Sequence, residues 1–207
     1  MKLKKKVRVF IIILLVLLLA LLSFLVYKEL SSKKEAKEVK VINEIKEYGY
    51  KLKENKPGKY KKMFEELKEI LDKEELDEEK YVKKISEMFI YDFYSLNDKT
   101  AKTDVGGVEF IYSEILENFL DNAQNTYYKY VESNIYNNRK QKLPIVDKIT
   151  IDGVEKKEFK YSDKADNEAY YANVTWTYVD NEFESYQKEA KLVFIHEDKK
   201  LSLVELQ

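Results

Sequence analysis

The chain has 207 residues, 37 basic and 38 acidic, for a formal net charge of -1, and no cysteine. That composition excludes a disulfide framework, a thiolate nucleophile, Cys-ligated metal sites and a Cys-linked lipid anchor. Five of the basic residues (Lys2, Lys4, Lys5, Lys6 and Arg8) lie in the first eight positions with no acid among them, which leaves 32 basic against 38 acidic residues elsewhere, a net of -6. Such an acidic remainder argues against nucleic acid as a partner, because phosphate binding needs a local excess of Lys and Arg.

Residues 1–8 read as a basic cytoplasmic tail. Val9–Tyr27 is nineteen residues without a charge; at helical rise it would be about 28 Å long, close to the apolar thickness of a bilayer. No small-x-small cleavage site follows, so the segment is expected to stay as an uncleaved anchor. Basic residues on the two flanks are balanced, five in Met1–Arg8 and five in Lys28–Ile42. Their density on the short side places the N-terminus in the cytoplasm and the large domain outside it. The expected localisation is therefore a single-pass cell-membrane protein.

Residues 28–56 are charge-rich and read as a stalk, with Val41, Ile42, Ile45 and Tyr48 at helical spacing up to Gly49. Pro57-Gly58 marks the start of an extracytoplasmic domain over 57–207. Tyr60, Met63, Phe64, Leu67, Ile70 and Leu71 give a first amphipathic helix. Asp77 is placed to cap a second, from Glu78 to about Leu96, whose inner stripe is Val82, Ile85, Met88, Phe89 and Phe93. After Thr103–Gly107, the steps Ile111, Ile115, Phe119, Ala123 and Tyr127 predict one long helix over Val108–Asn134. Beyond Pro144 the period becomes two: a hairpin turning at Asp152-Gly153, a strand over Tyr170–Tyr178, another over Tyr186–Ile195, and a last one over Leu201–Leu206. Helices followed by strands give an α+β class, with helices packed on a C-terminal antiparallel sheet.

This order of a basic tail, an anchor helix, helices and a C-terminal meander resembles the nuclear transport factor 2-like (cystatin-like) domains of bitopic scaffold subunits in type IV secretion and conjugation machines. The sequence departs from those scaffolds at Leu143-Pro144, where they carry an Asn-Pro turn. The resemblance implies a long helix lying across a concave sheet and a non-enzymatic role in assembly, with the bilayer, other envelope proteins and further copies of the chain as partners. The alternative it leaves open is an anchored small-molecule sensor using the cone between helix and sheet.

No catalytic, metal or cofactor-binding constellation emerges, and no cofactor is expected. The sole histidine, His196, lies beside Glu197 and Asp198 and reads as an exposed turn-flanking residue rather than a general base. Asp92, among Phe89, Tyr91, Phe93 and Tyr94, would have a raised pKa if it faced the cone, but helical phase puts it toward solvent. Asp92, Tyr127, Tyr130, Trp176 and Tyr178 are the candidate pocket lining, with ordinary core as the plainer reading for the aromatics. Asp163–Glu168 lacks the spacing of a calcium loop. Asp104–Gly107 could present amides to an anion or simply turn the chain sharply. The abundance of tyrosine (17) suggests an interaction surface, with Tyr128 on an exposed helix flank.

Overall fold

The computed structural model describes residues 5–34, 39–162 and 164–207. The chain divides into two compact units, Met1–Lys40 and Val41–Gln207.

The first unit holds one helix, α1 (Lys5–Lys34). Its side chains are described over residues 13–27. Ser23 donates its hydroxyl to the carbonyl of Leu19 (2.8 Å), so the polar side chain inside that stretch is satisfied within the helix, and Tyr27 stands at its end. Leu17, Leu18, Leu19 and Leu21 are each more than half exposed, so the helix is apolar on every side. Among the described residues no helix is long and apolar enough to cross a membrane. Fifteen residues span only about 22 Å. The expected span Val9–Tyr27 begins at residues whose side chains lie outside the described set, as do the basic flanks.

The second unit is α+β. A hairpin, β1 (Val41–Ile45) and β2 (Tyr50–Lys53), turns through a 3-10 segment that ends on Gly49 at φ 70°. Helices α2 (Gly58–Leu71), α3 (Glu78–Tyr94) and α4 (Leu116–Asn125) follow. Strands β3 (Val146–Lys156), β6 (Tyr170–Tyr178), β7 (Glu189–Glu197) and β8 (Lys200–Leu206) form an antiparallel sheet in that order, and β4 (Phe159–Tyr161) pairs with β5 (Lys164–Asp166) as a separate small hairpin.

The hairpin overturns two expectations. Residues 41–45 form a strand and only the 3-10 turn Lys46–Tyr48 is helical, and the stalk does not run to 56. Alternation along β2 buries Tyr50 and Leu52 against the helices while Lys51 and Lys53 face solvent. Tyr50 reaches Tyr81 on α3 by a hydroxyl contact of 2.7 Å. A fragment beginning at Lys59 would lack these core residues, so the folded unit starts at Val41.

α2 and α3 form as their periodicity predicts. Tyr60, Met63, Phe64, Leu67 and Leu71 are buried along α2. On α3, Asp77 accepts the Lys80 N–H (3.0 Å) as the N-cap, and two acids occupy the first turn, where the helix dipole favours them. Full burial of each large apolar side chain, such as Phe64, Ile85 or Phe89, stabilises by about 1.5–3 kcal/mol. The last turns of α3 depart from a one-sided pattern: Met88 through Tyr94 are buried without interruption. The segment 95–144 wraps the side that periodicity assigned to water.

That segment is also where the predicted long helix fails. Gly107 adopts φ 72° before a short 3-10 turn, Val108–Phe110. Ile111 then bridges to Leu203 in parallel, and the Tyr112 N–H donates to the Leu203 carbonyl (2.9 Å). The backbone at Tyr112 is extended, so pairing with β8 interrupts the helix. α4 has only ten residues and ends where Thr126 leaves helical dihedrals. Phe119 is half-buried, against Phe93 (5.4 Å) and Phe89 (6.3 Å). Tyr128 is fully buried, not on an exposed flank, because the chain beyond α4 folds back under it.

The sheet holds one more correction. Asp152-Gly153 does not turn a hairpin; β3 runs straight through it, paired with β6 on both sides of a register shift between Ile151 and Gly153. The pair is a bulge in a long strand, the other common use of such residues. The strand Tyr170–Tyr178 has its predicted bounds, whereas β7 starts at Glu189 rather than Tyr186.

Candidate functional site

Three places hold the candidate residues. The first is an ionic knot around Asp92, whose carboxylate is 3% exposed and does not face water. Lys56 Nζ lies 2.6 Å from both its oxygens, Lys99 Nζ is 2.9 Å from Oδ1, and the Gly107 N–H donates to Oδ2 at 2.7 Å. Burial alone would push the Asp92 carboxyl up. The Lys99 and Lys56 ammoniums outweigh burial and hold it well below the usual carboxylate range. Lys99, also buried, is held above its ordinary value by Asp92 and then Asp98, against desolvation. Asp98 Oδ1 lies 3.0 Å from Lys99 Nζ, within ion-pair range but without the angle of a hydrogen bond. Burial pushes Asp98 and Glu109 up; Glu109 accepts the Tyr60 hydroxyl.

Two glycines make this knot possible. A Cβ on Gly106 would come within 2.0 Å of the Asp92 carbonyl oxygen, and one on Gly107 within 2.6 Å of the Phe89 ring. The amides of this loop do meet an anion, but the anion is the chain's own Asp92. Tyr128 closes the knot from below: its hydroxyl accepts from the Gly106 N–H (3.0 Å) and donates to the Phe93 carbonyl (2.6 Å).

The second place surrounds His196. It lies within β7, not in a turn, and its side chain is 31% exposed. Its partners are not the neighbouring Glu197 and Asp198. Asp166 Oδ2 lies 2.8 Å from Nδ1 and also accepts the His196 backbone N–H at 2.8 Å, while Glu78 Oε1 stands 3.5 Å from Nε2. Glu78 in turn accepts the Tyr170 hydroxyl (2.6 Å) and Lys156 Nζ (3.2 Å). Burial raises the Glu78 carboxyl, and the bonds from Tyr170 and Lys156 more than offset it, for a net lowering. Burial and then the Glu78 bond raise the Tyr170 phenol to about 12. Asp163 lies outside the described residues. Among those described, no group of three or more His, Asp or Glu side chains is placed to hold a metal ion.

The third place is a cleft of about 610 Å³ beside α4, lined by Phe93, Tyr94, Phe119, Asn122, Tyr127 and Gln187 among others, with no charged side chain. Beneath it Tyr127 and Tyr178 share a hydroxyl contact of 3.1 Å, and Tyr178 donates to the Gln187 carbonyl (2.8 Å). Burial raises the Tyr127 phenol. Of the five residues expected to line a pocket, only Tyr127 lines this one. Trp176 is core, its ring 4.3 Å from that of Tyr94; its indole N–H lacks a partner with hydrogen-bond geometry, although the Tyr178 hydroxyl is a near neighbour. Tyr178 lies in the layer beneath, Asp92 belongs to the ionic knot, and Tyr130 is 75% exposed on a loop beyond α4. Most of the tyrosines whose abundance suggested a surface are buried, Tyr50, Tyr60, Tyr81 and Tyr94 among them.

Sequence reasoning missed Lys56, Lys99 and Asp166. The signal for Lys99 was its place one turn beyond a helix end carrying Asp92, with two of the chain's five glycines close behind.

Comparison with known proteins returns nothing to set beside this geometry: no family model, no curated protein and no solved structure matches the chain.

Proposed function

We propose that this chain is a membrane-anchored, non-enzymatic interaction protein, with residues 1–8 in the cytoplasm, Val9–Tyr27 as the anchor and the unit Val41–Gln207 outside the cell membrane. The non-enzymatic part is carried by one observation: both ionisable candidates for chemistry are already engaged by their own neighbours. Asp92 is neutralised by two ammoniums, and both ring nitrogens of His196 face carboxylates. Neither presents a lone pair or proton to a cavity. The anchor is supported by the run without charge and by α1 being apolar on every described side, since a helix of that kind needs an apolar environment. The order of elements supports a place among bitopic scaffold subunits of conjugation or type IV secretion machines, with envelope proteins and further copies of the chain as partners.

The test is genetic and biochemical together. Deleting residues 9–27 should abolish the cellular role and release the protein from membranes washed with alkaline carbonate, whereas His196→Ala should leave the role intact. Loss of the role in His196→Ala, with the protein folded and at normal abundance, would make the domain an enzyme or ligand sensor.

A second reading has its own observation. The cleft beside α4 has the volume of a small-molecule site and an aromatic, uncharged lining. An anchored binding module would take a neutral ligand there, and Phe119→Ala would weaken that binding with a modest loss of stability.

A further inference from the structure

The loop after α4, residues 126–142, exposes three large apolar side chains: Tyr130 at 75%, Ile135 at 55% and Tyr136 at 76%. Its backbone is nonetheless pinned. The Asn134 N–H donates to the Thr100 carbonyl (2.7 Å), and Asn134 Oδ1 accepts the Arg139 N–H (3.0 Å). The Arg139 guanidinium donates to the carbonyls of Lys99 (2.8 Å) and Asn97 (2.7 Å). Gln141 bridges the Tyr130 carbonyl and the Glu132 N–H. Ile135 and Tyr136 sit at the tip of a turn closed by Asn137 N–H on the Asn134 carbonyl (3.0 Å). The ordering cost of this loop is met inside the fold, so a surface that meets the tip does not bear it again.

The charge around the tip has the opposite sign to the unit that carries it. Residues 126–142 hold Lys129, Arg139, Lys140 and Lys142 against Glu132 alone. Lys102 lies in the abutting turn, 97–104. Lys102, Lys129 and Lys140 are exposed and have no carboxylate within 4.0 Å among the described residues. Lys142 is committed to Glu182 (3.0 Å), Asp98 is paired with Lys99 and Asp104 is bonded to Thr100.

We infer that the Tyr130–Tyr136 loop touches an anionic lipid surface, its apolar tip at headgroup depth and Lys102, Lys129 and Lys140 against the phosphates. Tyr130 stands apart in the loop from Ile135 and Tyr136, with Glu132, Ser133 and Asn134 between them, and three such side chains are fewer than the broad apolar patch that a protein partner buries. Tyrosine, isoleucine and lysine together are the composition of a membrane-interface contact. Each lysine near an anionic leaflet adds to the attraction, which falls off within a Debye length of the surface. Such a contact is weak alone and gains its strength from a tether. The inference therefore rests on the anchored reading: six residues, 35–40, separate the end of α1 from β1, and a chain of that length spans at most about 20 Å, which makes the tether to the bilayer a short one.

The absence of native cysteine permits a clean probe. Full-length protein carrying Asn138→Cys, labelled with an environment-sensitive fluorophore, is mixed with vesicles of phosphatidylcholine alone or with phosphatidylglycerol added. Glu74→Cys, on the turn between α2 and α3, is the control. The expected result is a several-fold rise in emission with a blue shift at position 138 in the phosphatidylglycerol vesicles. It should be lost in Tyr130→Ala/Tyr136→Ala and in Lys102→Glu/Lys129→Glu/Lys140→Glu, and absent at position 74. The same emission at 138 and 74 would overturn the inference and turn this loop toward a protein or open solvent. An equal response in both vesicle types would overturn the anionic assignment. Flotation after carbonate reads the anchor separately: a chain that floats with a silent probe keeps the anchor and loses the contact, and a responding probe on a chain that does not float does the reverse.

Discussion

Asp92 and His196 are each an ionisable side chain held between two ionisable partners, lysines for the one and carboxylates for the other, yet they do different work. Asp92 is sealed at 3% exposure, with every oxygen engaged by an ammonium or an amide. The His196 ring and Glu78 are each about a third open to water, and Asp166 is less so. In the sealed knot a lost partner leaves a charge with nothing to solvate it. In the open cluster water takes the partner's place. Burial, more than the identity of the residues, decides which cluster holds the fold together.

The largest expected effect is therefore Asp92→Ala, which leaves Lys56 unpaired and the buried Lys99 with Asp98 as its one remaining carboxylate among the described residues. It should cost about 3–5 kcal/mol in urea unfolding of the full chain. A cost under 1 kcal/mol would mean that water enters the knot and that the contrast with His196 is false. Next comes Gly106→Ala. Its Cβ would meet the backbone of α3 at Asp92 rather than a flexible side chain, and the forced shift should cost about 1–3 kcal/mol by the same measurement. Gly153, with open space around it, is the matched control, and Gly153→Ala should cost less.

The contrast also explains what could be read from the residues alone. α2, the first turns of α3 and β6 carry a clean period because each has one buried face, and Asp77 announces its helix by local chemistry. The segment 95–144 has no such face. Its apolar residues at Ile111, Ile115, Phe119 and Ala123 keep a four-residue step while the backbone breaks at Tyr112 to pair with Leu203, a contact 91 residues away in sequence. Asp152-Gly153 has the composition of a turn, and only the continued pairing with β6 makes it a bulge. Asp92 falls on the side that periodicity leaves to water, and its partner Lys56 stands 36 residues earlier, at the end of a hairpin whose charge-rich composition reads as a stalk. Distant pairing and the wrapping of α3 are tertiary facts, and a local period does not carry them.

Acid should sharpen the contrast with a smaller effect than either substitution. The folded-state pKa of Asp92 is lowered, so its contribution is complete above the unfolded value of about 4 and is lost as pH falls through the folded one. Glu109 runs the other way: burial raises its pKa, so its protonation favours the folded state before Asp92 begins to titrate. Stability should hold or rise slightly as pH drops toward 4, then fall below it. In Asp92→Asn the fall below about pH 4 should be shallower, a difference that thermal melts at a series of pH values would read.

The smallest effect belongs to His196→Ala. The substitution removes contacts to Asp166 and Glu78, but both carboxylates keep other partners: the Glu168 N–H and the His196 backbone N–H for Asp166, and Tyr170 and Lys156 for Glu78. No charge is stranded, and half-open polar contacts of this kind contribute about 0–1 kcal/mol. Urea unfolding near neutral pH should therefore place His196→Ala within about 1 kcal/mol of the parent. Raising the salt concentration should shrink even that difference, because exposed pairs are screened and buried ones are not. Asp92→Ala measured in the same salt series should keep nearly its whole deficit. If the two variants respond to salt alike, the Asp92 knot is open to solvent and the lysines around it hold the fold no more firmly than those on the surface.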